Sequence, residues 1–320
     1  MKEEEKGYST MLAAMLLTEP ETIETTYQPE LTPAWPVDDL SAFRERLTQW
    51  IDESWDTSIR VREWWRRLAD AGLTMPTWPR TAGGISAPTA IQRLIERELA
   101  GRGLIGPPVG GAGLREVGPA LRQHGTGDQR ERFLDPLMRG ECTWCVLLEE
   151  HDADLSDIET RATGDATAGK DTFQLSGGKV WTRDVAGADW AIVLAVTDRK
   201  AHVKRRMTCF AVDLRQDAIS VDDPGRRPRL VKLDQAIAER RDAIGGVGAG
   251  WAVAQTVLAY RDKTLAGRIR RGVVSVAPGV AAGNLDMTVA EAIASFVPRP
   301  KRKSRRDEPG SERRQRPDLT

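Results

Sequence analysis

The sequence predicts an α+β chain in three parts: an N-terminal helical bundle, a middle antiparallel β-barrel or sheet domain, and a truncated C-terminal helical segment. Two observations carry this expectation. Apolar residues recur at helical spacing to about residue 140, switch to the period of two that alternates side chains across a strand, and return to helical spacing from Gly250. The middle section is also too strand-dense for βαβ units, and no G-x-G-x-x-G follows a strand and opens a helix, which argues against a doubly wound dinucleotide fold.

Residues 1–35 are polar, carry several prolines and sustain no period, so they read as a mobile or surface-draped lead segment. A helical domain is expected over 36–140. Asp38 or Asp39 can cap a helix with Leu40, Phe43, Leu47 and Ile51 on one stripe. A second helix holds Val61, Trp64, Trp65 and Leu68 and stops at Gly72, a left-handed cap. The prolines and glycines of MPTWPRTAGG prevent regular structure there, and helices follow at about 88–101, 114–124 and 128–138, with Thr126 as a cap for the last.

A β domain is expected over 141–245. Thr172 to Leu175 alternates and meets Gly177-Gly178, a hairpin-type turn, before the strand Lys179 to Thr182. Ala191 to Val196 and Met207 to Leu214 are further strands around a polar loop. Residues 222–245 give no clear period, and DDPGRRPR reads as loop. A partial helical region is placed at 246–296, with Val253, Val257, Leu258, Leu265 and Ile269 on a stripe and a short helix near 284–295. The basic tail, 297–320, offers little apolar surface and reads as disordered.

With 320 residues, 29% charged residues and a formal net charge of +0, the chain has the make-up of a soluble globular protein, and its charge points to no nucleic-acid or membrane partner. The apolar run Met11 to Leu17 is too short to span a bilayer and follows acidic rather than basic residues, which reads as cytoplasmic. Three cysteines form no disulfide framework. Cys142 and Cys145 make a C-x-x-C, but at the opening of a strand and without further ligands, so a structural role is expected. His124, His151 and His202 have no ligand spacing, and no metal is expected.

The chain resembles the acyl-CoA dehydrogenase family at several points in order: LADAGLTMPTWPRTAGG; Gly118 to Cys145 with its G-T-x-x-Q, its R-x-L-P-like turn and its G-E; Gly178-Lys179-Val180-Trp181-Thr182 with Ala188-Asp189; and Gly248 to Gly272. The resemblance covers roughly residues 40 to 272. It implies that family's helix, sheet and helix plan, FAD held between sheet and C-terminal helices and partly by a neighbouring subunit, and an acyl-CoA thioester beside the flavin. A carboxylate in such a site removes the proton next to the carbonyl while hydride passes to flavin.

Measured against that resemblance, the chemistry is altered. The family's S/T-E-P-G-A-G-S-D stretch matches Leu147 to Asp154, where only Asp154 is kept and the two glycines are Glu150 and Asp152. Added carboxyls there would face a pyrophosphate at a cost on the order of a few kcal/mol per close contact. The resemblance marks Trp144, Val146, Asp154, Trp181 and Thr182 as cofactor-binding positions; Trp144 and Trp181 can equally be core. The usual base lies in a region this chain does not show. The alternative L-x-x-E-R location falls on Leu258 to Asp262 and puts Arg261 at the Glu position, with Asp262 rotated by about 100° along the helix. No catalytic residue is therefore assigned.

The reading that follows is an incomplete, non-catalytic subunit of a heteromeric acyl-CoA dehydrogenase, with a homologous full-length subunit as partner, FAD shared with or held by that partner, and acyl-CoA as substrate. A conventional FAD-dependent enzyme with an unaligned base, Glu239 or Asp242, is a second reading, although neighbouring Arg240 and Arg241 suit a surface ion-pair role. A third is a truncated acyl-CoA-binding or relic chain.

Overall fold

In the computed structural model, which describes residues 34–109, 111–151, 153–164, 171–181, 187–222, 229–271 and 287–291, the chain opens on a helical layer. Helix α1 (Leu40–Ser54) starts where the Asp39 carboxylate accepts from the Ser41 and Ala42 amides at 2.9 and 3.0 Å, satisfying donors a helix start leaves free. Its buried stripe is Phe43, Leu47, Trp50 and Ile51, while Leu40 is exposed. Helix α2 (Val61–Asp70) buries Trp64, Trp65 and Leu68 and stops before Gly72, whose φ of 70° only glycine adopts cheaply. The Trp64 and Trp65 indoles donate to the Ile105 and Gly106 carbonyls at 2.7 and 2.9 Å, so both tryptophans are buried without an unpaired N–H.

Helix α3 (Thr89–Gly101) closes this layer with Ile91, Leu94 and Ile95. A late segment also enters it. The Val61 amide donates to the Met287 carbonyl at 3.1 Å, and the Val289 and Ala290 amides donate to Ile59 and Thr57 at 2.9 and 3.1 Å. Val289 thereby lies fully buried among the tryptophans. The rest of the short helix expected near 284–295 lies mostly outside the described residues, as do the lead segment and the tail.

A second helical group rests on the sheet. A π-helical turn, Gly113–Val117, leads into α4 (Gly118–His124), and α5 runs as Gly127–Gln129, Arg130–Leu134 and Asp135–Met138. Thr126 and Gln129 form a reciprocal capping box: the Gln129 amide donates to Thr126 Oγ1 at 3.2 Å and the Thr126 amide to Gln129 Oε1 at 3.1 Å. Gln129 Nε2 then reaches the Arg241 and Ala243 carbonyls at 2.7 and 3.1 Å, joining helices to sheet.

The strands are β1 (Trp144–Leu147), β2 (Arg161–Gly164), β3 (Thr172–Trp181), β4 (Trp190–Val196), β5 (Met207–Asp213), β6 (Ile219–Val221), β7 (Arg229–Glu239) and β8 (Ala243–Ile244). They form one sheet in the order β6-β7-β3-β2-β4-β5-β8, with β1 on β4 off that path. Most pairings are antiparallel, but β1 and β2 both run parallel to β4, which the expected antiparallel sheet did not include. The sheet encloses an inner core in which Phe173 meets Phe210 at 5.0 Å. Helix α6 (Gly250–Arg271) covers its other face with Val253, Ala254 and Val257.

The expected hairpin turn at Gly177-Gly178 does not exist. Strand β3 runs straight through both glycines and pairs with β7 along its whole length. A Cβ on Gly177 would stand 2.7 Å from Thr160 Cα, so this glycine serves close approach of neighbouring backbone rather than a reversal of direction. Strand β7, in the stretch without a legible period, is the longest of the sheet and carries a bulge at Gln235, which has φ 63°.

Candidate functional site

Strand alternation aims Trp144, Val146 and Leu148 at the helices and Cys145 and Leu147 at the inner core. Where β1 ends, the chain delivers Glu149 and Glu150 side by side, against α6 on one side and β3 on the other. Both meet a cation of the same chain.

Arg261, on α6, donates from Nε to Glu116 at 2.9 Å and from a terminal nitrogen to Glu149 at 2.8 Å. Glu116 comes from the π-helical turn, so the guanidinium ties three elements together, and both it and Glu116 are largely shielded from solvent. Burial opposes the Arg261 charge, but the Glu116 bond and the Glu149 carboxylate outweigh it and hold its ionisation above the ordinary value. Glu150 turns the other way. Its Oε1 takes the ammonium of the wholly buried Lys179 at 2.7 Å and the Thr160 amide at 2.9 Å, and the Glu159 amide donates to Oε2 at 2.6 Å. Burial works against this carboxylate as well, yet Lys179 and the hydrogen bonds keep it below its usual range. Of the carboxyls that would repel a pyrophosphate, Glu149 and Glu150 are thus engaged within the chain, and Asp152 lies outside the described residues.

Of the expected cofactor-binding residues, Trp144, Val146 and Asp154 have described side chains. Trp144 is 2% exposed, stacked with Trp190 at 5.9 Å and edge-on to Phe133 at 5.4 Å, and Val146 is buried beside it. Asp154 is exposed, and its carbonyl accepts from the Asp157 amide in a 3₁₀ turn. Trp181 ends β3 opposite Arg229, and Thr182 lies outside the described residues. Among the described residues, Trp144 offers no free face for a ring, and the Glu149 and Glu150 carboxylates are paired to Arg261 and Lys179.

Other candidate groups are paired elsewhere. Glu239 bonds Arg241, and Asp242, buried in the turn just before β8, takes Arg132 at 2.8 Å with burial pushing its carboxyl up; the surface position expected for Asp242 is corrected by its 8% side-chain exposure. Burial pushes the Cys142 and Cys209 thiols up to about 12, which makes them poor nucleophiles. His124 shares a 2.8 Å hydrogen bond with Thr256. Among the described residues no group of three or more His, Cys, Asp or Glu could hold a metal ion, and no helix is long and apolar enough to cross a membrane.

Sequence reasoning passed over Glu116 and Lys179. Lys179 carries a signal: it occupies an inward position of an alternating strand, where an ammonium demands a buried partner. Glu116 offers none, since its partner is 145 residues away.

Residues 40–141 match the family model for the acyl-CoA dehydrogenase N-terminal domain. The chain is 34% identical over 233 residues to acyl-CoA dehydrogenase FadE34 of Mycobacterium tuberculosis, covering 68% of this chain and 29% of that protein. It is 30% identical over 224 residues to acyl-CoA dehydrogenase IpdE1 of Mycolicibacterium smegmatis, covering 65% and 57%. It therefore spans less than two thirds of either relative. The fold matches the Tcur3481-Tcur3483 steroid ACAD (G363A variant) with a TM-score of 0.54 at 21% identity, over 80% of this chain and 73% of that one. The ChsE4-ChsE5 complex from Mycobacterium tuberculosis gives 0.51 at 20% identity, over 68% and 59%.

Proposed function

Because this chain belongs to the acyl-CoA dehydrogenase family, we propose that it serves as an incomplete, non-catalytic subunit of a heteromeric acyl-CoA dehydrogenase, assembled with a homologous full-length subunit. The family is generally FAD-dependent, and its flavin accepts the hydride when an acyl-CoA thioester is oxidised between the α and β carbons. In the proposed assembly the partner supplies the proton acceptor and the greater part of the flavin pocket.

The observation that carries this reading is Arg261, clamped between Glu116 and Glu149 at the position where a branch of the family is expected to keep its base. A guanidinium cannot accept a proton at any working pH. The two carboxylates around it are both paired to it. The Tcur3481-Tcur3483 steroid ACAD and the ChsE4-ChsE5 complex are each named for two components, which supports the assembly, and the first makes a steroid-derived thioester the substrate to try first.

Co-expression with a full-length dehydrogenase partner, followed by an absorbance scan for flavin and a dye-reduction assay with acyl-CoA, tests the proposal. A stable mixed oligomer with flavin bound only in the mixture is expected. A lone chain purified with stoichiometric flavin and turning over acyl-CoA would overturn it.

A further inference from the structure

Lys179 has no exposed surface, and its ammonium needs a partner that water cannot supply. Nζ donates to the Leu148 carbonyl at 3.2 Å and to Glu150 Oε1 at 2.7 Å. The same carboxylate is gripped by two consecutive main-chain amides, Glu159 to Oε2 at 2.6 Å and Thr160 to Oε1 at 2.9 Å. The Thr160 hydroxyl is buried and adds its influence to the same carboxylate. Adjacent amides and an ammonium aimed at one point make a concave donor set of the kind that binds oxyanions.

These donors belong to the framework and not to the residue they hold. Lys179 is fixed by the pairing of β3 with β7, and Thr160 is fixed by its carbonyl, which accepts from the Val196 amide at 2.8 Å. Glu150 instead comes from the connection after β1, where it forms an isolated bridge to Ala153. We propose that Lys179 and the Glu159 and Thr160 amides form a preorganised site for a small carboxylate, and that Glu150 is its tethered occupant. The ligand class follows from the donors. Two oxygens in one plane, one shared by Lys179 and Thr160 and the other taken by Glu159, describe a monocarboxylate such as formate or acetate. This site is independent of the proposed subunit role.

The test is the thermal unfolding of E150A in formate or acetate against chloride at equal ionic strength. E150A is expected to melt below the wild type and to regain part of the difference, several degrees, in a saturable way with formate or acetate but not with chloride. Wild type should respond alike to all three salts, and the E150A/K179M double variant should lose the selective response. Folded E150A that shifts equally in formate and chloride overturns the proposal. If E150A is recovered only as aggregate, its refolding yield from urea makes the same comparison: a higher yield in formate supports the site, and equal yields overturn it.

Discussion

Gln129→Ala tests how the helices are joined to the sheet. Three side-chain hydrogen bonds disappear: one accepted from the Thr126 amide and two donated, to Arg241 and Ala243. The Ala243 carbonyl keeps the Gly246 amide at 3.0 Å, so the uncompensated groups are the Thr126 N–H and the Arg241 carbonyl. At roughly 1–1.5 kcal/mol for each partly buried group left unpaired, the variant should lose about 2–3 kcal/mol. Urea unfolding followed by tryptophan fluorescence reads this as a lower midpoint at unchanged slope. Gln129→Glu should cost at least as much, because a carboxylate would then face two carbonyls, and Gln123→Ala, on the same helical group, should stay within about 0.5 kcal/mol. A loss below about 1 kcal/mol in Gln129→Ala would show that the junction does not depend on this amide.

Arg261→Met should cost about 2–4 kcal/mol by stranding the shielded Glu116 carboxylate, and adding Glu116→Gln should recover much of it; equal stability of single and double variants in chemical denaturation would refute the clamp. Burial lowers the ionisation of His124, so the folded chain prefers the neutral ring. The stability this gives is complete above the unfolded value near 6.5 and falls, by up to about 1.4 kcal/mol per pH unit, as pH drops toward the lowered folded value. Melting temperatures at pH 7.5 and 5 should therefore differ less in His124→Gln than in the wild type. Gly177→Ala should destabilise by about 1–3 kcal/mol, because its Cβ would lie 2.5–2.9 Å from Thr160 atoms; an unchanged melting temperature would contradict that packing.

The helical parts were legible because their signals are local: the Asp39 cap, the Thr126 and Gln129 box and the Gly72 stop each lie within a few residues of the element they bound. Strand β7 was not, since the extra residue at Gln235 shifts its alternation and leaves Ile237 facing outward, so no single period of two runs through it. Gly177-Gly178 misled for a related reason: a glycine pair signals a turn from local conformational freedom, whereas here it records the nearness of Thr160, which only the folded sheet reveals. At the candidate site the Arg261 position was visible in the sequence, but its meaning was not. Its partners lie 145 and 112 residues away, and the Lys179 partner 29 away, so which charges cancel is settled by tertiary structure alone.

The seat of Val289 beside α1 and α2 has a consequence for biosynthesis. The Trp-rich layer is made mostly from the first third of the chain, yet one of its buried side chains is translated only after the sheet and α6. On the ribosome that early layer must wait, with an apolar notch open, until the segment around Met287 has emerged. A nascent chain stalled before that point is the species on which a chaperone should find the most to hold.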